Sequence, residues 1–296
     1  MRLQKKFIII ALFLTQMAAA GESGGSTGMA FLKVGVGARA AGMGEAFTAV
    51  SDDALATYWN PAGLLAAKLS NVSLMHNRWL RDVTSQFGAL QFRRKASSLA
   101  FHVYSFSVDD VPVRDRPSSK PLEQTGANFL SIGASYARSL SQTLDFGVTV
   151  KYLFEKVFVY TADGYAADIG FRYTGFGEQL TVAGVLQNLG SMSELLNEST
   201  KLPAILRVGA QYDFSSVIIA GDLVKPFEED LRFNIGAEAN VVKQIVLRAG
   251  YQAGYESRGV SFGAGIQKSS FHFDYSYTPF SDDLGNGQRI SIFLAL

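Results

Sequence analysis

From Ser70 onward, polar and apolar residues alternate with period two in one segment after another. Such a period belongs to β-strands with two unlike faces. In the stretch from Gln244 to Tyr255, Ile245, Leu247, Ala249, Tyr251, Ala253 and Tyr255 share one side, opposite Gln244, Arg248 and Gln252. Leu231, Phe233, Ile235, Ala237 and Ala239 oppose Arg232, Asn234, Glu238 and Asn240, and Phe271, Phe273, Tyr275 and Tyr277 oppose His272, Asp274 and Ser276. Fourteen such segments start near Ser70, Thr84, Ala96, Gly126, Thr143, Gly164, Gln179, Pro203, Ser216, Leu231, Gln244, Val260, Ser270 and Gln288. Most have roughly nine to twelve residues, the length a tilted strand needs to cross a bilayer. In the second, Gln86 to Phe92 fits either face.

An even strand count suits a closed antiparallel barrel in an outer membrane, with short periplasmic turns and longer external loops. Arg94-Lys95, Ser139 to Gln142, Thr174 to Glu178, Phe214-Ser215, Val241 to Lys243 and Lys268-Ser269 read as short turns. Ser107 to Thr125, Lys156 to Asp163, Leu189 to Leu202, Lys225 to Asp230 and Pro279 to Gly287 read as the longer links between them. Leu80 to Val83 and Glu256 to Gly259 are short where the rule asks for length. Tyr152, Tyr173, Tyr251, Tyr255 and Tyr277 lie near strand ends on the apolar face, as an interfacial aromatic girdle requires. A soluble β-sandwich also alternates, but strand length, strand number and loop alternation together favour the membrane.

The first residues carry Arg2, Lys5 and Lys6, then an apolar run from Phe7 to Met17, then Ala18-Ala19-Ala20. This is the three-part pattern of a secretion signal, with cleavage expected after Ala20. No later run is long and apolar enough for a membrane helix. The expected division is a signal peptide at 1–20, an N-terminal plug at 21–69 and a barrel at 70–296. A net charge of +1 without a basic run leaves no nucleic-acid footprint. With no cysteine in the chain, disulfides, thiolate metal sites and lipid attachment at cysteine are excluded.

From Gly35 to Gly44 nearly every side chain is small except Arg39, so backbone can approach backbone closely. Ser51 or Asp52 is placed to cap a short helix through Ala54, Leu55 and Tyr58, with Asp52 and Asp53 at its positive end. Pro61 then ends that helix by pushing Asn60 out of helical geometry. A barrel of fourteen strands leaves interior space, and the segment from Gly21 to Leu69 is available to fill it as a plug entering from the periplasmic side.

Gly35-Val36-Gly37-Ala38-Arg39-Ala40-Ala41-Gly42-Met43-Gly44, Asp52-Asp53-Ala54 and Trp59-Asn60-Pro61-Ala62-Gly63-Leu64 resemble the N-terminal signature of the PorV/PorQ family. That family is related to the FadL-type outer-membrane transporters, whose Asn-Pro-Ala motif lies in an N-terminal hatch. Glu45 departs from the pattern, which would place glycine or alanine there. The resemblance implies an all-β, 14-stranded antiparallel transmembrane β-barrel in the bacterial outer membrane, with the hatch motif at Arg39, Asp52, Asp53, Trp59, Asn60, Pro61, Ala62 and Gly63. It further implies a non-enzymatic part in type IX secretion, with cargo proteins or a translocon as partners contacted by the loops around Val111 to Pro121 and Leu189 to Lys201.

Two rival readings remain. One is FadL-like passage of a small hydrophobic molecule past Phe47, Tyr58 and Trp59, although these rings serve equally as plug packing. The other is a barrel-wall lipid hydrolase with His272 beside Ser270 or Ser291, which the resemblance supports through a deacylase role proposed for one branch. A lone strand histidine is more simply a lumen-lining polar residue. Inward-facing charges of both signs are expected at Lys151, Asp168, Arg172, Arg207, Arg232, Glu238, Arg248 and Asp274, together with Asp145, Asp222 and Arg289. So many buried charges are tolerable only when paired or wet, and a network bracing the plug is the first reading, ahead of a substrate pathway. His76, His102 and His272 stand at no metal-ligand spacing, and no cofactor motif is present.

Overall fold

The computed structural model describes residues 27–79, 83–113, 123–175, 177–195 and 201–296. The secretion signal expected at 1–20 lies outside them. The strands are β1 (Asn71–Arg78), β2 (Thr84–Arg93), β3 (Ser97–Val113), β4 (Glu123–Ser139), β5 (Leu144–Val157), β6 (Tyr160–Gly175) and β7 (Leu180–Met192). They continue as β8 (Ile205–Asp213), β9 (Val217–Pro226), β10 (Arg232–Val242), β11 (Ile245–Ala253), β12 (Val260–Lys268), β13 (Phe271–Pro279) and β14 (Asn286–Ala295). Each pairs antiparallel with its sequence neighbours, and β1 closes the ring on β14, Asn71 opposite Ala295 and Arg78 opposite Gln288. A closed ring leaves no unpaired strand edge in hydrocarbon, where unsatisfied backbone groups are costly.

Alternation sets which side chains face out. Along β11, Ile245, Leu247, Ala249 and Tyr251 are exposed while Val246, Arg248 and Gln252 are buried. On β2 the inward set is Ser85, Phe87, Ala89 and Gln91. Two of these are apolar because they pack on the lumen contents, which explains why its faces could not be told apart by polarity.

Several expectations are corrected. The link expected at Lys156 to Asp163 is the two-residue turn Phe158-Val159, because Val157 still pairs with Tyr160 and Phe158 takes the left-handed backbone (φ 57°). β3 and β4 each run for 17 residues, beyond bilayer length, because the two strands go on pairing past an irregularity between Val108 and Val111, out to Val113 opposite Glu123. β7 extends to Met192, so Leu189 belongs to the wall; residues 114–121 and 196–200 of the two proposed contact loops lie outside the described residues. Tyr255 leaves the girdle, since β11 stops at Ala253 and the guanidinium groups of Arg232 and Arg258 lie over the Tyr255 ring at 4.5 and 4.6 Å.

The segment before β1 lies inside the ring. It forms a 3₁₀ turn (Ala30–Lys33), helix α1 (Ala38–Gly42), helix α2 (Ala56–Trp59) and a second 3₁₀ turn (Pro61–Leu65). Its direction differs from the expectation of periplasmic entry. Gly28 N–H donates to Lys201 O and Lys33 pairs with Glu229 at 2.6 Å, both partners on long connections, whereas Leu65 and Ala67 meet Arg93 at the short-turn end. The chain therefore descends through the lumen before it turns into β1.

Candidate functional site

The small residues of the segment meet glycines of the wall. The backbone of Met43 and Gly44 lies so close to Gly236 and Gly250 that a Cβ on either strand would collide with it, and Gly42 meets Gly263 in the same way. On the opposite wall, Gly147 receives the backbone of Pro61 and Ala62, and Gly170 the side chain of Asn60. Backbone contact of this kind is open only to residues without a side chain. Ala38 N–H adds a hydrogen bond to Ser291 Oγ at 2.8 Å.

Asn60 and Pro61 hold the bend. Asn60 is extended (φ −162°, ψ 108°), its Oδ1 accepts from Ala62 N–H at 3.1 Å, and its Nδ2 donates to Phe171 O at 3.1 Å. Pro61 sits in the first position of the following turn, where its missing N–H costs nothing. Ala62 is fully buried there, and Gly63 leaves no room for a side chain against Ser51 O. The start of α2 corrects the capping expectation: Asp53 Oδ1 accepts from Leu55 N–H at 2.7 Å, while Asp52 is drawn away by Arg39 and Ser51 Oγ is buried without a partner.

Phe47, Tyr58 and Trp59 are buried and stack edge to face, with ring centres 5.8 Å apart for Phe47 and Trp59 and 5.1 Å for Tyr58 and Trp59. Trp59 Nε1 donates to Val36 O, Tyr58 OH lies within reach of the carbonyls of Leu32 and Val34, and Arg207 lies over the Trp59 ring at 5.0 Å. These rings are committed to holding the segment together.

The charges form a chain from segment to wall. Arg39 pairs with Asp52 at 2.6 Å and holds Glu238 with two hydrogen bonds, Nε to Oε2 at 2.7 Å and Nη2 to Oε1 at 2.9 Å. Glu238 also accepts from Arg248 at 2.5 Å, and Arg248 reaches Asp274 at 2.7 Å. Asp52, Asp53, Glu238, Asp274 and Arg39 line a cavity of about 220 Å³, with His272 and Phe293 on its side. Burial, reinforced by the neighbouring Asp52, pushes the Asp53 carboxyl up to about 7.

Glu45 was not legible as a site residue, yet it anchors the segment at the other end. Its Oε1 receives Arg289 at 3.2 Å and Arg258 at 3.3 Å. Burial alone would raise its pKa, but Arg258, Arg289 and Arg207 outweigh it and hold the carboxyl below the usual range. The signal available was a lone charge following a run of small residues: a carboxylate set where backbones touch needs a partner. His102 was likewise unassigned; its Nδ1 lies 2.8 Å from Thr57 Oγ1, which also meets Ser135 Oγ.

The remaining predicted charges do not converge on one site. Lys151 pairs with Asp168 at 2.7 Å and donates to Asn188 Oδ1 at 2.6 Å, bracing an irregularity where the β6–β7 register shifts between Ala167 and Ile169. Arg172 approaches Asp145 at 3.8 Å, and Arg232 pairs with Glu229. His272 stacks on Phe293 at 4.6 Å between ring centres, while Ser291 Oγ is occupied by Ala38 N–H. Among the described residues no group of His, Cys, Asp and Glu has metal-site geometry.

Asp53 supplies a pH prediction. Its carboxyl binds a proton more tightly in the folded barrel than in the unfolded chain, so its contribution is fully present below the ordinary aspartate range and lost as pH rises through about 7. Melting in detergent from pH 4 to 8 should therefore decline less steeply in Asp53→Asn, which keeps the acceptor for Leu55 N–H, than in the unaltered protein. Parallel curves would contradict the assignment.

Ring closure, outward apolar faces and a lumen filled by the chain's own N-terminal segment define an outer-membrane β-barrel of the plugged kind. The chain belongs to the PorV family: residues 18–217 match the family described as Type IX secretion system protein PorV. Solved structures share the fold. The CymD monoaromatic hydrocarbon channel superposes with a TM-score of 0.66 at 15% identity, covering 89% of this chain and 98% of that one. The Ralstonia pickettii toluene transporter TbuX gives 0.62 at 13% (88% and 97% covered). The Pseudomonas putida toluene transporter TodX gives 0.60 at 12% (88% and 96%). A comparison with curated proteins yields no match.

Proposed function

We propose that this protein serves protein secretion of the type IX kind at the outer membrane, docking or shuttling secreted cargo without catalysing a reaction. The family match over residues 18–217 carries the reading, since it takes in the luminal segment as well as β1 to β8. The packing supports it. With Met43, Gly44, Pro61 and Ala62 pressed against wall glycines and Glu45 and Arg39 paired to wall charges, the barrel offers cargo its external connections rather than its lumen. Docking falls to the connections after β3 and β7. Deleting the gene in its host should leave cargo with a C-terminal sorting domain inside the cell or unprocessed; undiminished secretion would refute the role.

One observation favours passage of a small hydrophobic molecule as a second reading. Phe31 sits among Tyr104, Phe106 and Phe129, with ring centres 5.2, 6.0 and 5.6 Å away, in an aromatic seat that an apolar guest could take by displacing it. Mass spectrometry of the purified barrel would then find a bound apolar molecule, and reconstituted vesicles would take it up; absence of both would dismiss the idea.

A further inference from the structure

We propose that the short-turn rim of β1 to β4 binds the phosphate headgroup of an anionic phospholipid from the inner leaflet of the outer membrane. Phe92, Leu99 and Tyr136 are successive cross-strand partners and face outward, 44%, 41% and 47% exposed. Toward the rim the outward residues change character within one step. Two residues beyond Tyr136, on the same face of β4, stands Arg138; two beyond Phe92 stands Arg94, followed by Lys95 in the turn. Successive same-face residues are about 7 Å apart, so the cations lie directly against the edge of the apolar row. Ser139 N–H donates to Ala96 O at 3.1 Å, which ties this turn to the end of β4, where Ser97 pairs with Arg138. Lys68 and Leu69, both exposed, precede β1 on the same arc.

Lys68, Arg94, Lys95 and Arg138 are all exposed, and none has an ion-pair partner among the described residues. The neighbouring cation behaves differently: Arg93 spends its guanidinium on the carbonyls of Leu65, Ala67 and Ser97. The nearby carboxylate, Asp145, is turned to Ser139 Oγ and Arg172. The other short turns carry scattered charges of both signs, at Glu178, Asp213, Lys243 and Lys268. Four unpaired cations bordering an outward apolar row meet the headgroup layer, where a phosphate takes guanidinium hydrogen bonds and the acyl chains cover Phe92, Leu99 and Tyr136. Arg138 is exposed on the outward face of β4 that carries Tyr136, with Ala137 buried between them, so it borders lipid as well as the periplasm.

The test uses the full barrel in detergent, with native mass spectrometry after addition of phosphatidylglycerol, phosphatidylethanolamine or inorganic phosphate. The unaltered protein should retain phosphatidylglycerol selectively. Arg94→Gln, Lys95→Gln and Arg138→Gln should each weaken retention about fivefold, and the triple variant on the order of a hundredfold, while Lys243→Gln with Lys268→Gln leaves it unchanged. Heat-modified gel migration establishes that the variants fold. The proposal is overturned if the triple variant retains the lipid as well as the parent, if the control pair loses as much, or if inorganic phosphate displaces the lipid fully at equal concentration. The last outcome would mean an adventitious ion only, and preferential capture of an acidic periplasmic protein with lipid retention unchanged would also overturn it.

Discussion

Gly250→Val will unseat the N-terminal segment and expose Arg39 to trypsin. Gly250 stands inward on β11 between the buried Arg248 and Gln252, and the backbone of Met43 and Gly44 occupies the volume its side chain would take. Neither side can yield cheaply, because β11 is paired on both flanks and Gly44 holds a left-handed backbone (φ 62°) that a shift would disturb. Overpacking of a well-filled core costs about 1–3 kcal/mol, and here displacement also strips Glu45 from Arg258 and Arg289. The closed wall, held by backbone pairing, should persist as a heat-modifiable band. Limited proteolysis should cut the variant after Arg39 while the parent resists; equal resistance would show that α1 does not rest on this wall.

The second large effect falls on Glu238. Its carboxylate is shared by Arg39 of the segment and Arg248 of the wall, and Arg248 is fully buried. Glu238→Ala removes the carboxylate the two guanidinium groups share, leaving Arg39 with Asp52 and the buried Arg248 with Asp274, so the loss stays below the full cost of breaking a buried pair from one side, about 3–5 kcal/mol. Thermal melting of the single variants Glu238→Ala and Arg39→Ala and of their double variant measures the coupling. The double variant should melt well above the sum of the two single losses. Strict additivity would mean that Arg39 does not latch the segment through Glu238.

Strand identity was legible from alternation because one residue of slip would turn a whole apolar face inward. Thr84 and Val260 begin strands where expected, and most other starts lie within one or two residues. β4 and β6 begin three and four residues early because each keeps pairing with the strand before it, Glu123 opposite Val113 and Tyr160 opposite Val157. The lumen charges were legible as a set, by the same period. Their pairing was not, because period two names the face of a residue and not its neighbour across a closed ring. Arg39 finds Glu238 199 positions away, and Glu45 finds Arg289 244 positions away. The Gly35 to Gly44 stretch announced close packing, but only the register of β10 to β12 places Gly236, Gly250 and Gly263 opposite it.

Ion conductance of the unaltered protein, inserted singly into a planar bilayer, bears most directly on the claim that the N-terminal segment fills the barrel. A lumen occupied from Met29 to Ala67 should pass little steady current, and Gly250→Val should open it to the conductance of a wide aqueous pore. A parent protein that conducts as freely as the variant would contradict the account.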